Sequence, residues 1–131
     1  MTIMLIAHRR KMENMLMFCG AYASILRQHH LVATGETGRP LAQTTGLTIE
    51  QLMPVTWGAG EDALQLVRRD KVDMLFFFRD QQCGSDEMDK SEIFRICDNL
   101  AIPFASNIGT AEVLIHGLEQ NALEWRDAQK L

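Results

Sequence analysis

The sequence predicts an α/β fold, an open three-layer sandwich in which helices cover both faces of a five-stranded, mainly parallel sheet. Strand and helix patterns alternate about five times along the chain, without an internal repeat or a linker. Residues 3–7 and 72–78 are nearly unbroken apolar runs, which is typical of strands that are buried on both faces. Because 47% of the 131 residues are hydrophobic, we expect one domain, residues 1–131, with a substantial core.

The predicted strands are short apolar segments that end at glycine, proline or charged residues. In chain order they are residues 3–7, 31–34, a short segment within 49–57, 72–78 and 104–106. Pro54 lies in the third segment and argues against a central, fully paired strand there.

The predicted helices have apolar residues at three- and four-residue steps, which is the helical period. The second predicted helix starts close to Gly38, with Pro40 in its first turn, and ends at Gly46. The other predicted helices are residues 11–29, residues 61–69, a helix around residues 93–100, and residues 110–118. The last of these should turn Ala111, Leu114, Ile115 and Leu118 toward the core, and residues 119–131 form a polar tail.

The composition excludes several classes of function. The net charge is −4, and the 17 acidic and 13 basic residues are scattered, which argues against nucleic acid as a partner. No apolar run is long enough for a signal peptide or a membrane span, so a cytoplasmic location without membrane contact is expected. The three cysteines match neither a disulfide framework nor a metal site, and Cys19 and Cys97 are interpreted as small core residues.

In parallel α/β sheets ligands bind beyond the carboxyl ends of the strands. The segments at these positions are residues 8–11, 34–38, 57–62, 80–89 and 107–110. Any chemistry of this chain is expected there.

These same segments resemble the methylglyoxal synthase family, nearly without gaps, from Ile3 to about Leu118. The first strand ends in Ala7-His8, residues 33–38 read Ala-Thr-Gly-Glu-Thr-Gly, residues 78–80 read Phe-Arg-Asp, and residues 106–112 read Ser-Asn-Ile-Gly-Thr-Ala-Glu. The resemblance implies a flavodoxin-like winding of the sheet. It also implies a homohexameric enzyme that uses no metal or organic cofactor and converts dihydroxyacetone phosphate to methylglyoxal and inorganic phosphate.

The resemblance assigns a small phosphorylated metabolite or inorganic phosphate to the loop after the second strand. Gly35 and Gly38 allow close backbone approach there, and the hydroxyls of Thr34 and Thr37 can donate to phosphate oxygens. Lys11 is the nearest match, one position early, to a family lysine that contacts phosphate. Read without the resemblance, the same threonines and glycines are an ordinary strand-to-helix turn.

The catalytic positions match less well. Gly60 stands where the family carries its catalytic base, so Glu61 or Asp62 replaces that base if the loop shifts by one residue, although helix capping explains both acids more simply. His8 matches a family site histidine. Asp89 matches a second-site aspartate of the family.

The chain departs from the family at five positions, which are Arg9, Met12, Glu36, Gly60 and Asp86. Asp86 stands in place of a histidine and needs a raised pKa to deliver a proton, unless the acidic cluster around it is simply a solvated loop. We hypothesise that Arg9 and Glu36 changed together and form a salt bridge between adjacent strand ends. The departures leave two functions open, a working lyase and a noncatalytic member that binds a phosphorylated metabolite as a sensor or regulatory module.

Overall fold

The computed structural model describes residues 1–52, 59–79 and 91–124, with the side chains of residues 59–62 and 91 excepted. The strands are β1 (Thr2–Ala7), β2 (His30–Thr34), β3 (Ile49–Leu52), β4 (Met74–Phe78) and β5 (Phe104–Ala105). The helices are α1 (Met12–Ala21), α2 (Ala23–Leu26), α3 (Gly35–Thr45), α4 (Ala59–Arg68), α5 (Ser91–Leu100) and α6 (Ile108–Glu119), and a 3₁₀ turn, Arg9–Lys11, precedes α1.

The five strands form one parallel sheet in the order β3-β2-β1-β4-β5. The predicted α/β fold class is confirmed. The flavodoxin-like winding is corrected in its strand order: flavodoxin-type sheets run 2-1-3-4-5, whereas this sheet runs 3-2-1-4-5. The difference arises because β3 adds to the outer side of β2 and becomes an edge strand, which fits the expectation from Pro54 that the third strand is not central.

Alternate residues of each strand face opposite sides of the sheet, so the sheet supports two cores. One core packs β-strand residues such as Leu5 and Phe76 against α1, α2, α3 and α6. The other packs Met4, Phe77 and their neighbours against α4 and α5. Cys19 and Cys97 are buried, one in each core, as predicted.

The fourth strand begins later than predicted because Asp73 binds Thr2 through both its backbone and its side chain. Its amide donates to the carbonyl of Thr2, and its carboxylate accepts a 2.8 Å hydrogen bond from the amide of Thr2. This reciprocal pair closes the amino end of the sheet next to β1, and regular pairing with β1 starts at Met74.

Two helices differ from prediction. The helix predicted over residues 11–29 is divided at Tyr22, whose φ of −112° and ψ of 25° lie outside the helical range. The helix expected to start close to Gly38 starts at Gly35, which places Pro40 beyond its first turn. Its end is as predicted, at Gly46, whose φ of 73° is the left-handed conformation that glycine adopts at little cost.

The last helix is longer than predicted at both ends, and its inner face is as predicted, with Ala111, Ile115 and Leu118 buried and Leu114 packed against the core. Residues 125–131 of the polar tail, and Pro54, Trp57 and Cys83, lie outside the described residues. No helix in the described part of the chain is both long and apolar enough to cross a membrane.

Candidate functional site

The sheet changes direction between β1 and β4, which are neighbours at its centre. The chain runs outward through β2 and β3 on one side and through β5 on the other. Such a switch point opens a crevice at the carboxyl ends of the two central strands, where doubly wound folds bind ligands. The residues that follow β1, β2 and β4 therefore define the candidate site.

His8 stands at this crevice and is fixed on several sides. Its amide donates to the carbonyl of Phe78 at 2.8 Å, which extends the pairing of β1 with β4 by one residue. Its carbonyl accepts from the amide of Lys11, and its ring Nδ1 accepts from the amide of Arg10 at 3.2 Å. A neutral His8 ring with Nδ1 as acceptor carries its proton on Nε2. The histidine is therefore set as a donor through Nε2.

Three cations follow His8 in the 3₁₀ turn, and a fourth follows β4. Arg9 and Arg10 are exposed, and Lys11 is half-buried. Arg79 is exposed at the end of β4, and its guanidinium carbon lies 4.8 Å from the centre of the Phe94 ring. The crevice between β1 and β4 is thus bordered by positive charge.

The predicted phosphate loop forms the end of β2 and the first turn of α3. Thr34 and Thr37 are 2% and 1% exposed. The Thr37 hydroxyl oxygen accepts from the amide of Ala7 at 3.0 Å and from the Thr34 hydroxyl at 3.3 Å, and it lies 3.5 Å from the Ala7 carbonyl. The two hydroxyls therefore join α3 to the end of β1 in this structure.

The two glycines of the loop have different surroundings. A Cβ on Gly38 would lie 3.2 Å from the Ala33 Cβ and 3.3 Å from the Gln51 Cγ, so this glycine lets α3 pack closely on β2 and β3. A Cβ on Gly35 would meet only the Leu52 carbonyl, at 3.5 Å, which is ordinary contact. The sequence predicted that Gly38 allows the backbone to approach a phosphate. In the structure this glycine allows α3 to approach the sheet.

The start of α3 is polar and open. Thr34 occupies the N-cap position, but its side chain makes no capping hydrogen bond because it is directed to Thr37. The amides of the first helical turn therefore lack a side-chain acceptor from the cap residue, and they carry the positive end of the helix dipole. Glu36 in this first turn is exposed.

The hypothesis of a salt bridge between Arg9 and Glu36 is wrong. Both residues are described, and no ion pair joins them within 4 Å. Ion pairs in the described regions include His30–Glu50, at 2.8 Å, and Arg68–Glu92. Because both Arg9 and Glu36 are exposed, water solvates each charge at little cost, and nothing drives the two long side chains together.

Glu61 and Asp62, the predicted candidates for the catalytic base, lie in the first turn of α4. Since α4 runs back toward the start of β4, its first turn lies at the carboxyl edge of the sheet, the same edge as His8 and the start of α3. Their side chains lie outside the described part of the structure. Asp86 and Asp89 lie outside it entirely.

Arg79 belongs to the family-like stretch of residues 78–80, and no role was predicted for it. The signal was present, since an arginine directly after a buried strand lies at the edge where ligands bind. Its stacking on Phe94 could not be read from the sequence, because α5 and β4 meet only in the folded chain.

No group of three or more potential metal ligands occurs among the residues with described side chains. No protein-family model matches the chain.

Three named relatives and one solved structure are similar to the chain over most of its length. It is 41% identical over 97% of its length to a methylglyoxal synthase of Geobacillus thermodenitrificans, of which it covers 89%. It is 38% identical to one of Lysinibacillus sphaericus, with 99% and 98% of the two chains covered, and 40% identical to one of a Thermoanaerobacter species, with 98% of each covered. The crystal structure of methylglyoxal synthase from Elizabethkingia anophelis superposes with a TM-score of 0.80 at 26% identity, over 87% of this chain and 76% of that one.

Proposed function

The chain belongs to the methylglyoxal synthase family, and we propose that it is a lyase of this type, which converts dihydroxyacetone phosphate to methylglyoxal and inorganic phosphate. The observation that carries the proposal is the switch point of the sheet at the carboxyl ends of β1 and β4. It brings His8, the open start of α3 and the first turn of α4 to one edge of the sheet.

The phosphate group is proposed to bind at the start of α3. The Thr34 and Thr37 hydroxyls are buried and bonded to each other and to β1, so the donors that remain at the helix start are its amides. Thr37 has one further contribution to make. Its oxygen already accepts two hydrogen bonds, while its own proton has only the 3.5 Å contact with the Ala7 carbonyl, which a phosphate oxygen can replace. Lys11, half-buried beside His8, supplies countercharge.

The chemistry requires a base that removes a proton from the carbon beside the carbonyl, which gives an enediolate. The carbon–oxygen bond to phosphate then breaks, phosphate leaves, and the resulting enol regains a proton on carbon to give methylglyoxal. His8, as an Nε2 donor, is suited to stabilise the enediolate oxygen. His8 follows β1, which is paired with β2, and this supports a position near the phosphate site proposed at the start of α3.

We propose Glu61 or Asp62 as the base. Both lie in the first turn of α4, where the helix dipole favours the carboxylate form that a base needs. The two positions are about 100° apart around a helix axis, so single variants can separate them. Asp89 is proposed to assist proton return, and Asp86 stands in for the family histidine in that relay.

The second candidate function is a noncatalytic member that binds a phosphorylated metabolite as a sensor. It is favoured by Gly60, which leaves the family's base position without a carboxylate. Under this alternative the start of α3 binds anions as before, and the acids of α4 serve only as helix caps.

The test uses purified protein and dihydroxyacetone phosphate, with phosphate and methylglyoxal measured separately. Equal release of both, abolished in Glu61→Gln or in Asp62→Asn, is the result expected for the lyase. The matched control is Glu119→Gln, at the far end of α6, which should leave turnover unchanged. Phosphate binding without turnover would refute the lyase and support the sensor.

The remaining parts of the proposal concern the whole protein. We propose that residues 1–131 act as one domain, that the protein works in the cytoplasm, and that it assembles as a homo-oligomer, with the hexamer implied by the family. Analytical ultracentrifugation tests the assembly, and a monomer at micromolar concentration would contradict it.

A further inference from the structure

Arg79 and His8 occupy neighbouring positions at the carboxyl ends of β4 and β1. Ala7 is paired with Phe78 in the parallel register of β1 and β4, and the amide of His8 donates to the carbonyl of Phe78. The residues that directly follow this pair are His8, after β1, and Arg79, after β4. Because residues alternate between the faces of a sheet, both lie on the side covered by α4 and α5.

The guanidinium of Arg79 is held by aromatic packing. It lies over the ring of Phe94 at 4.8 Å, and this ring stacks on Phe104 with centroids 4.8 Å apart and meets the edge of Phe77 at 5.4 Å. Stacking on an aromatic face orients a guanidinium and leaves its N–H groups free to bind an anion in the plane of the group.

No carboxylate among the described side chains forms an ion pair with Arg79. An exposed, oriented arginine without an acidic partner is suited to bind a ligand anion, since guanidinium N–H groups match carboxylate or enediolate oxygens. The start of α3 follows β2, two strands away from β4, which is about 10 Å at the usual strand spacing. Arg79 is thus too far along the edge to share the phosphate held at α3.

We propose that Arg79 binds the negative charge that develops at the carbonyl end of the substrate, beside His8, and that Phe94 positions it for this role. The inference rests on the proposed function for the identity of the substrate. The phosphate is held at α3, and the enediolate oxygen is stabilised over the β1–β4 crevice by His8 Nε2 and the Arg79 guanidinium.

The test compares two anions by isothermal titration calorimetry. Inorganic phosphate occupies the α3 end alone, and 2-phosphoglycolate adds a carboxylate at the other end. In Arg79→Gln, the affinity for 2-phosphoglycolate should fall about 10- to 100-fold, whereas that for inorganic phosphate should change less than about 3-fold. Arg27→Gln, which removes an exposed cation at the amino edge of the sheet, is the matched control and should change neither. Equal losses for both anions, or no loss, would overturn the proposal.

The role of Phe94 is tested by a double-mutant cycle. Phe94→Leu should lower the affinity for 2-phosphoglycolate in the wild-type background and have no further effect in the Arg79→Gln background. Equal effects in both backgrounds would show that Phe94 acts on the fold and not through Arg79. Thermal unfolding of each variant identifies loss of folded protein.

Kinetics separate this inference from the proposed function. If the wild-type protein is a lyase, Arg79→Gln should lower kcat much more than it raises KM, because the charge arises after the substrate has bound. A wild-type protein that binds both anions without turnover would refute the lyase and leave the comparison of affinities to decide on Arg79. A wild-type protein that binds neither anion would overturn both.

Discussion

Replacing Thr37 with valine tests whether its hydroxyl joins helix α3 to strand β1. Valine has nearly the shape of threonine but no hydroxyl, so the amide of Ala7 and the hydroxyl of Thr34 both lose their acceptor. Thr37 is 1% exposed, so water cannot easily replace the lost oxygen. The variant should therefore be less stable than the wild-type protein even when no ligand is present.

The magnitude follows from the hydrogen bonds. A buried donor left without an acceptor costs about 1–3 kcal/mol, and the weaker 3.3 Å contact with Thr34 adds about 0.5–1 kcal/mol. The free energy of unfolding should fall by about 1.5–4 kcal/mol. For a chain of 131 residues this corresponds to a decrease in Tm of about 5–15 °C.

Urea unfolding followed by circular dichroism, at one fixed protein concentration, measures the change. The control is Thr37→Ser, which keeps the hydroxyl and removes a methyl group. Its free energy of unfolding should fall by about 1 kcal/mol. The m-value should not differ among the three proteins. If Thr37→Val were as stable as the wild-type protein, or more stable than Thr37→Ser, the hydroxyl would not hold α3 to β1.

Three further predictions concern single side chains. Gly38→Ala should lower the free energy of unfolding, measured in urea, by about 1 kcal/mol, because overpacking against β2 and β3 outweighs the gain in helix propensity. Gly20→Ala should raise it by about 0.5–1 kcal/mol, because a Cβ at Gly20 would meet nothing within 4 Å. Equal effects of the two substitutions would contradict the close packing of α3. Glu36→Gln should strengthen binding of inorganic phosphate about 5- to 20-fold at low salt in calorimetry, because it removes a like charge from the start of α3, and weaker binding would place the phosphate elsewhere. Burial raises the pKa of the Cys19 thiol from 9.0 to about 12, so between these pH values only the unfolded chain releases the thiol proton. The free energy of unfolding should therefore be unaffected below pH 9 and should fall by about 1 kcal/mol per pH unit above pH 9. In urea unfolding between pH 8 and pH 10, Cys19→Ala should lack this contribution to the pH dependence of stability.

The sheet could be predicted from sequence because its central strands, β1 and β4, are buried on both faces. Nearly unbroken apolar runs such as residues 72–78 are typical of such strands, and the helices between them are amphipathic. The ends of the strands and helices were harder to predict, because they depend on contacts between residues that are distant in sequence. Asp73 belongs to an apolar run by position, but its bonds to Thr2 remove it from the regular strand, and nothing near it in sequence indicates that partner.

The sequence predicted at which edge of the sheet these residues lie, but not the contacts that each of them makes. Thr34, Thr37 and Gly38 lie at the predicted edge of the sheet, yet their contacts within the protein are with one another, with Ala7 and with β3. A threonine that binds phosphate and a threonine that holds a helix to a strand have the same sequence pattern. Only the position of the hydroxyl, which depends on how closely α3 packs on the sheet, separates the two.

The five departures that the resemblance implies leave the total charge of these positions unchanged. Taking histidine as neutral, Arg9 in place of aspartate adds two positive charges and Gly60 in place of aspartate adds one, while Met12, Glu36 and Asp86 remove one each. An edge that binds a phosphate dianion depends on this total, because several charges within a few ångströms act together. Proton transfer depends instead on single groups, and two of the altered positions are those that the resemblance assigns to the base and to the relay histidine. Anion binding should therefore be retained whatever the outcome at the base, so turnover that depends on Glu61 or Asp62 is what distinguishes a lyase from a sensor.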